Sequence, residues 1–478
     1  MDKMKILLIN PPIPRSYYNN EFYIPSSLVY LAAVLQRNGD EVKILDLRTF
    51  KLSNPDGYYD FYERILIDAV SNFMPELIGF GCLYAGHFPD ILRFSILLKK
   101  NFKEIPIATG GIHPTICAFD ILSNCPSIDW VVLGEGEKSI VQLVNTIKDK
   151  HYEFDKIDGL AFRKDGKAIV NPKANYIEDI DSIPFPAYDL INPKDYYVDT
   201  SNWHNPKNLP INTSIPIITS RSCPNRCTFC SMYMVMGSRW RSRSPQSVVD
   251  EIEYLYNKYG HRHFSFMDDN LTFKKAHILG ICSQIIKRRL DIQFETPNGI
   301  ALGTVDEEVM AAMVCAGMVR VALAVESGSD FIRNKIMRKN LARDKILEVV
   351  KLTKKYKQLN VAAFFIVGMP EETSETLAET YNMIKEIDVD RVFLQNVVPY
   401  PGTKVFDQAL RDNLLVDTNV DKWYLTSDRY LTNYDAFFIK PYKLELKDLR
   451  EFREKCKKLT AVKKPPERQS THAYKQTE

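Results

Sequence analysis

Short apolar runs separated by helical patterns recur in two series along this chain, and no other feature restricts its fold as much. The first series is Ile6-Leu-Leu-Ile9, Val42-Lys-Ile-Leu45, Leu77-Ile-Gly-Phe80, Ile105-Pro-Ile-Ala108 and Trp130-Val-Val-Leu133. Strands that alternate with helices form parallel sheets. Residues 1–150 are therefore expected to form a doubly wound, flavodoxin-like (Rossmann-type) α/β domain with its ligand beyond the C-terminal ends of the strands. The second series runs from about Pro210: Ile215-Pro-Ile-Ile218, His263-Phe-Ser-Phe-Met267, Gln293-Phe-Glu-Thr296, Arg320–Val325, Val361–Val367 and Arg391–Val398. Six βα units over residues 210–415 predict a partial (βα)6 barrel of the TIM type, with a lateral opening for substrate. Residues 151–209, studded with prolines as in Ile180-Asp-Ser-Ile-Pro-Phe-Pro-Ala-Tyr-Asp189, read as an irregular interdomain linker. Residues 416–478 read as a small helical cap carrying Trp423, Tyr424, Tyr430, Tyr434, Phe437 and Phe438, with a Lys-rich tail from about Lys463.

Chemistry enters at the end of the first strand of the second series. Arg221-Ser-Cys-Pro-Asn-Arg-Cys-Thr-Phe-Cys230 sets Cys223, Cys227 and Cys230 within eight residues and provides no fourth cysteine nearby. Electron-transfer ferredoxins hold each cubane with four thiolates, so a Cys-x3-Cys-x2-Cys loop covers three irons and leaves one for a small molecule to chelate. Two other readings fit the spacing: three buried apolar cysteines, or three of four zinc ligands with the last supplied from afar. The remaining cysteines, Cys82, Cys117, Cys125, Cys282, Cys315 and Cys456, are scattered and form no second close-spaced set.

The loop, with Phe229 before its last cysteine, resembles that of the radical S-adenosylmethionine (SAM) enzymes. The resemblance implies a [4Fe-4S] cluster whose open iron is chelated by SAM, and reductive cleavage of SAM to a 5'-deoxyadenosyl radical. Later strand ends carry matching features in order. Glu326 corresponds to the family's acidic SAM contact, Gly368–Glu371 to the later part of a Gly-x-Ile-x-Gly-x-x-Glu adenine motif whose first Gly is here Phe364, and Pro399-Tyr-Pro401-Gly402 to the sixth-strand loop near adenine. Asp268 and Asp269 read as contacts to SAM, to substrate or to each other's network, and Arg338 and Lys339 either neutralise the SAM carboxylate or form surface pairs. Arg239, Trp240, Arg241 and Arg243 form a basic, aromatic patch that reads either as an anion clamp or as a solvated loop.

The first domain resembles the cobalamin-binding domain that precedes the barrel in one radical SAM subgroup. Asn10-Pro11-Pro12, Gly110-Gly111-Ile-His113-Pro-Thr115 and Gly134-Glu135-Gly-Glu137 carry the likeness, and Gly81, Leu83 and Tyr84 follow the third strand. An Asp-x-His-x-x-Gly loop after the first strand is missing. Ile13-Pro-Arg-Ser16 stands there instead, so no imidazole from that motif is available to cobalt; Leu83 and Tyr84 are expected nearer the lower face, and His113 is read as a turn or cofactor-contact residue.

Charge excludes little: 63 Lys and Arg against 60 Asp and Glu leave +3, which implies neither nucleic acid nor an anionic membrane as partner. No apolar run approaches the roughly 18 residues of a membrane span, and the thiol-rich, uncoupled cysteines suit a reducing compartment, so a cytoplasmic protein is expected. The resemblance implies an enzyme that methylates an unactivated carbon of a small-molecule, lipid or peptide substrate and draws electrons from a flavodoxin- or ferredoxin-type reductant. A radical SAM cyclase or oxidising enzyme of tetrapyrrole or lipid synthesis is the alternative outcome, and a non-catalytic cobalamin or iron-sulfur sensor the alternative class.

Overall fold

The fold is that of a computed structural model, which describes residues 3–13, 23–52, 55–83, 85–150, 152–416, 425 and 436–463. The described chain forms two compact units. One is built on Met1–Tyr196 with Met234–Gly237, the other on Tyr197–Tyr233, Ser238–Thr418 and Tyr434–Glu478.

In the first unit β1 (Lys5–Asn10), β2 (Glu41–Asp46), β3 (Leu77–Gly81), β4 (Ile107–Gly110) and β5 (Trp130–Val132) lie in the order β2-β1-β3-β4-β5, all parallel. Ile6, Leu7, Leu8 and Ile9 are all buried, because helices cover both faces of such a sheet and leave no solvent side for a polar residue. The helix Tyr58–Phe73 shows how one face is covered: Tyr58, Tyr62, Leu66, Val70 and Phe73 recur at helical spacing and pack with Leu7, Ile9 and Ile78. The strand order reverses between β1 and β3, which is where ligands of doubly wound sheets bind.

Part of the segment expected to be irregular is a β-hairpin. β6 (Leu160–Lys164) pairs antiparallel with β5, and β7 (Lys167–Val170) pairs antiparallel with β6, so the sheet has seven strands. Asp165 (φ 50°) and Gly166 (φ 75°) make the two-residue turn, the left-handed pair that matches the twist of a tight hairpin.

In the second unit β8 (Ile215–Ile217), β11 (His263–Phe266), β12 (Gln293–Ile300), β13 (Met318–Glu326), β14 (Asn360–Val367) and β15 (Arg391–Asn396) form one parallel sheet in chain order, the open barrel foreseen from the six βα signals. A separate two-stranded ladder joins β9 (Ser220–Arg221) to β10 (Arg241–Ser242) and closes the cysteine-bearing excursion at its base. Ser244 caps the helix Pro245–Tyr259 by accepting from Ser247 N–H (3.1 Å), with Pro245 at its first position as the sequence predicts. The C-terminal helix Leu446–Lys463 lies beside β15 and the helix Ser374–Glu386: Arg453 donates to Leu394 O (2.8 Å), and Lys455 Nζ sits 4.1 Å from the Tyr381 ring centre. Phe437 and Phe438 are buried, whereas Trp423, Tyr424, Tyr430, Tyr434 and the tail beyond Lys463 lie outside the described residues. Among the described residues no helix is long and apolar enough to cross a membrane.

Candidate functional site

At the C-terminal end of the second unit's sheet, the cysteine segment is fastened by the Asp268-Asp-Asn270 run that follows β11. Asp268 is 2% exposed and accepts from Thr219 N–H (3.2 Å), Thr219 Oγ1–H (2.8 Å), Ser220 N–H (2.5 Å) and Ser220 Oγ–H (2.5 Å). Asp269 accepts from Ser222 N–H (3.1 Å), and Asn270 Nδ2–H donates to Cys223 Sγ (3.5 Å). Three consecutive side chains thus grip the strand end, its exit and its first thiol. Burial pushes Asp268 up to about 6 against the pull of its hydrogen bonds, and burial with the neighbouring Asp268 charge does the same to Asp269. Asp268, expected as a SAM contact, has its Oδ1 taken up by these protein donors, while Oδ2 meets Thr219 N–H at 3.4 Å.

The middle of the loop is pinned as well. Thr228 N–H and Oγ1–H donate to Met337 O (3.1 Å) and Ile336 O (2.9 Å), and Val405 N–H donates to Thr228 O (3.1 Å). Phe229 packs against the apolar cluster of Ile332, Met337, Met369, Val397 and Val405, which places it beside the turn after β14. Ser222, next to the first cysteine, and Glu326, at the end of β13, both hold left-handed backbone (φ 72° and 70°), a conformation that costs about 1–3 kcal/mol and persists only where neighbours impose it.

Burial pushes the Cys227 thiol up to about 11 and Cys230 to about 12 and raises Cys223 too, against the opposing pull of the Lys339 charge on Cys227 and of the Asn225 and Asn270 hydrogen bonds on Cys223. Such thiols deprotonate when a metal takes the proton's place. Among the described residues no three His, Cys, Asp or Glu side chains converge to hold a single ion. The other cysteines lie elsewhere, Cys82, Cys117, Cys125, Cys282 and Cys456 being buried.

Glu326 and Lys339 form a buried ion pair (2.6 Å) at the same strand ends. Burial disfavours the Lys339 charge, but Glu326 and then Cys227 outweigh it and raise Lys339 above its ordinary value. Arg338, its expected companion, is exposed. At the end of β14, Gly368 (φ 94°) turns the chain, and the carboxylate that closes this turn is Glu372. It is fully buried, accepts from the Gly368 and Met369 N–H groups, and is raised to about 8 by that burial. Sequence reasoning missed it in favour of its neighbour Glu371, which accepts from Gln408 Nε2–H (2.6 Å). Pro401 is half-buried in the loop after β15, next to Gly402 (φ 79°). Of the basic patch, Trp240 is buried and donates to Asn270 O (2.9 Å), and Arg243 is buried against Glu251, so both are packing residues; Arg239 is exposed.

The first unit's strand ends are tied to one another. Asn10 donates to Asp46 (2.9 Å), which also receives Arg48 (2.8 Å) and Tyr196 (2.9 Å). Pro11 is buried beside Asn10. Gly111 (φ 114°) must be glycine because a Cβ there would lie 2.3 Å from Cys82 O, and Gly134 because a Cβ would lie 2.7 Å from Val235 O; a Cβ on Gly81 would meet Leu28 at 3.0 Å, and one on Gly110 would meet Val132 O at 3.0 Å. The closest approach these glycines permit is thus chain to chain. Thr115 completes the motif by donating to Gly111 O (2.7 Å) and accepting from Gly134 N–H (2.9 Å). Glu135 accepts from Ile177 N–H (2.8 Å) and is buried. His113 is buried beside Phe88 (ring centres 5.3 Å) and Cys117, whereas Leu83, at the tip of β3, is 49% exposed. Tyr84 lies outside the described residues.

Comparison with known proteins agrees with this division. Residues 217–384 match the radical SAM superfamily and residues 21–144 match the B12 binding domain. An uncharacterised methyltransferase of Pyrococcus horikoshii is 30% identical over 468 residues, covering 94% of this chain and 96% of its own. The chain belongs to the cobalamin-binding radical SAM enzymes. Enzymes of this kind use a [4Fe-4S] cluster, SAM and cobalamin. Cytidylyl-2-hydroxyethylphosphonate methyltransferase of Streptomyces wedmorensis is 26% identical over 475 residues, covering 90% of this chain and 86% of its own. The radical SAM methyltransferase TsrM of Kitasatospora setae, solved with cobalamin and a [4Fe-4S] cluster bound, shares the fold with a TM-score of 0.74 at 17% identity, covering 97% of this chain and 92% of its own.

Proposed function

We propose that this radical SAM enzyme transfers a methyl group from SAM, by way of cobalamin, to an unactivated carbon of its substrate. The observation that carries the reading is the gathering of the three-thiol loop, the Glu326–Lys339 pair and the Gly368 turn at one end of one sheet, and near full-length likeness to two methyltransferases supports it. When bound, the cluster supplies an electron to SAM and cobalamin supplies the methyl carrier. Cys223, Cys227 and Cys230 each hold one iron, while Asp268, Asp269 and Asn270 keep the loop from shifting. Lys339 takes the SAM carboxylate and Glu326 orients Lys339 and receives a SAM hydroxyl or ammonium hydrogen. Phe229, Gly368 and the loop containing Pro401 receive the adenine, whose edge needs backbone N–H and C=O groups that a left-handed Gly turn exposes.

In the first unit the exposed Leu83 would contact bound cobalamin, and His113, engaged in packing with Phe88 and Cys117, would not be a cobalt ligand. Asn10, Gly81, Gly110, Gly111, Gly134 and Glu135 shape the strand ends that receive it. The enzyme works in the cytoplasm with a flavodoxin- or ferredoxin-type reductant. With methyl-deuterated SAM, the reading requires a product that carries the labelled methyl, together with S-adenosylhomocysteine and 5'-deoxyadenosine. Release of 5'-deoxyadenosine with an unlabelled product reassigns the enzyme to cyclisation or oxidation.

A further inference from the structure

Below the strand ends that carry the SAM residues, the two last strands of the open barrel present a face quite unlike their other one. Val361, Ala363, Phe365 and Val367 of β14 are buried, as packing under helices requires. Of the alternate positions Ala362 is buried, Phe364 and Ile366 on β14 are half-buried, and Arg391, Phe393 and Gln395 on β15 are exposed. Parallel register sets Ala362 beside Arg391, Phe364 beside Phe393 and Ile366 beside Gln395, so these side chains share one face. The two phenylalanine rings lie 5.4 Å apart, and Phe393 keeps 38% of its surface in contact with solvent. Gly299 of β12 leaves room for the Phe364 ring, since a Cβ there would lie 3.3 Å from it.

The charges on this face do not balance. Arg320 of β13 pairs with the buried Glu295 (3.0 Å), which also accepts from Ser265 Oγ–H (2.8 Å). Arg391 has no carboxylate partner among the described residues; its guanidinium lies 5.9 Å from the Phe393 ring centre and is repelled by Arg320. An exposed guanidinium beside a second one, with a single carboxylate already taken by its neighbour, leaves one positive charge at the edge of an apolar surface. An anion relieves that imbalance, and the guanidinium fork fits a carboxylate or a phosphoryl group through two parallel hydrogen bonds.

We propose that this face reads the substrate, and that the substrate carries an anionic group, a carboxylate or a phosphate or phosphonate, held by Arg391, with an apolar body laid over Phe364 and Phe393. The proposal rests on the radical SAM reading, because it is the strand ends bearing Glu326 and Gly368 that the substrate must reach. Asn396, at the end of β15, lies five positions beyond Arg391, roughly 16 Å at the rise of a parallel strand. The substrate is therefore elongated, with the carbon to be modified about that far from its anionic group.

Decanoate, decyl phosphate and neutral decanol are suitable probes, titrated calorimetrically into anaerobically reconstituted holoenzyme. Either anion should bind at least about tenfold more tightly than decanol, and Arg391→Gln should remove that advantage while Arg391→Lys retains part of it. Phe393→Ala should weaken all three probes alike. Preference for the phosphate marks a phosphoryl-bearing substrate, and preference for decanoate marks a carboxylic acid. Equal binding of decanol and the anions, or undiminished anion binding by Arg391→Gln, overturns the proposal. Iron content and SAM cleavage of the unsubstituted protein test the radical SAM reading separately, so a protein that cleaves SAM yet ignores these anions refutes the substrate inference alone.

Discussion

Replacing Glu372 by Gln separates the charge of this buried carboxyl from its hydrogen bonds. In the folded protein its proton is held up to about pH 8, because burial penalises the carboxylate more than the Gly368 and Met369 N–H groups stabilise it. In the unfolded chain the same group releases its proton near its ordinary value of 4.5. Between these two values the folded state binds a proton that the unfolded state has lost, so stability falls as pH rises, by about 1.4 kcal/mol per pH unit. From pH 4.5 to 7.5 the cost reaches about 4 kcal/mol as an upper bound, and it is fully removed below pH 4.5. Gln is neutral throughout, keeps one oxygen to accept from the turn, and puts its amide where the protonated oxygen stood. Calorimetric melts under anaerobic conditions should therefore coincide for the two proteins at pH 5 and diverge above it, with Glu372→Gln the more stable at pH 8. A quarter of the bound would already move the midpoint by about 2–4 °C in a domain of this size. Parallel pH profiles for the two proteins refute the argument, since they would mean that Glu372 titrates alike in the folded and unfolded chains.

Cys227→Ala should abolish cluster assembly, whereas Cys282→Ala, in a buried helix position, should retain four irons per chain by iron analysis; four irons in Cys227→Ala sink the cluster assignment. Asn270→Ala removes an N–H donor from the Cys223 sulfur, and because such bonds favour the more negative, reduced cluster, the midpoint potential should fall by about 20–60 mV, the equivalent of about 0.5–1.5 kcal/mol. An electron paramagnetic resonance redox titration checks this, and an unchanged potential at full iron content counts against the contact. Gly111→Ala forces a Cβ to 2.3 Å from Cys82 O at φ 114° and should cost at least about 2 kcal/mol in a denaturant melt, whereas Gly166→Ala, at φ 75° with open space around it, should cost about 1 kcal/mol. Equal losses at the two glycines would show that the close approach is not what position 111 demands.

The parts of this fold legible in the sequence are those whose burial is two-sided or whose spacing is local. Ile6–Ile9 reads as a strand because a parallel sheet covered on both faces leaves no place for a polar residue, and the three cysteines read as a cluster loop because their spacing is fixed within one turn of chain. The hairpin Leu160–Val170 was hidden for the opposite reason. Its turn signal, Asp165-Gly166, is present, but β7 is mostly exposed and the flanking Arg163, Lys164 and Lys167 erase the apolar alternation. Arg163 is itself consumed by the carbonyls of Leu122, Cys125 and Ile128, a partnership between segments that no local pattern announces. The same limit governs the acids at the strand ends. Asp268 and Glu135 look like ligand groups in a sequence and Glu372 does not stand out there, yet each gives oxygens to backbone N–H groups of a loop or turn. Loops that leave a sheet carry N–H groups that no ladder satisfies, and burying them unpaired costs about 1–3 kcal/mol each. A carboxylate is the strongest acceptor available for that task, so acids gather at functional strand ends partly to hold the loops that bind cofactors. Which acid then remains to meet a ligand is decided by direction, as with Glu326, whose visible partner is the Lys339 ammonium, and direction is set by bulges and left-handed residues such as Glu326 itself.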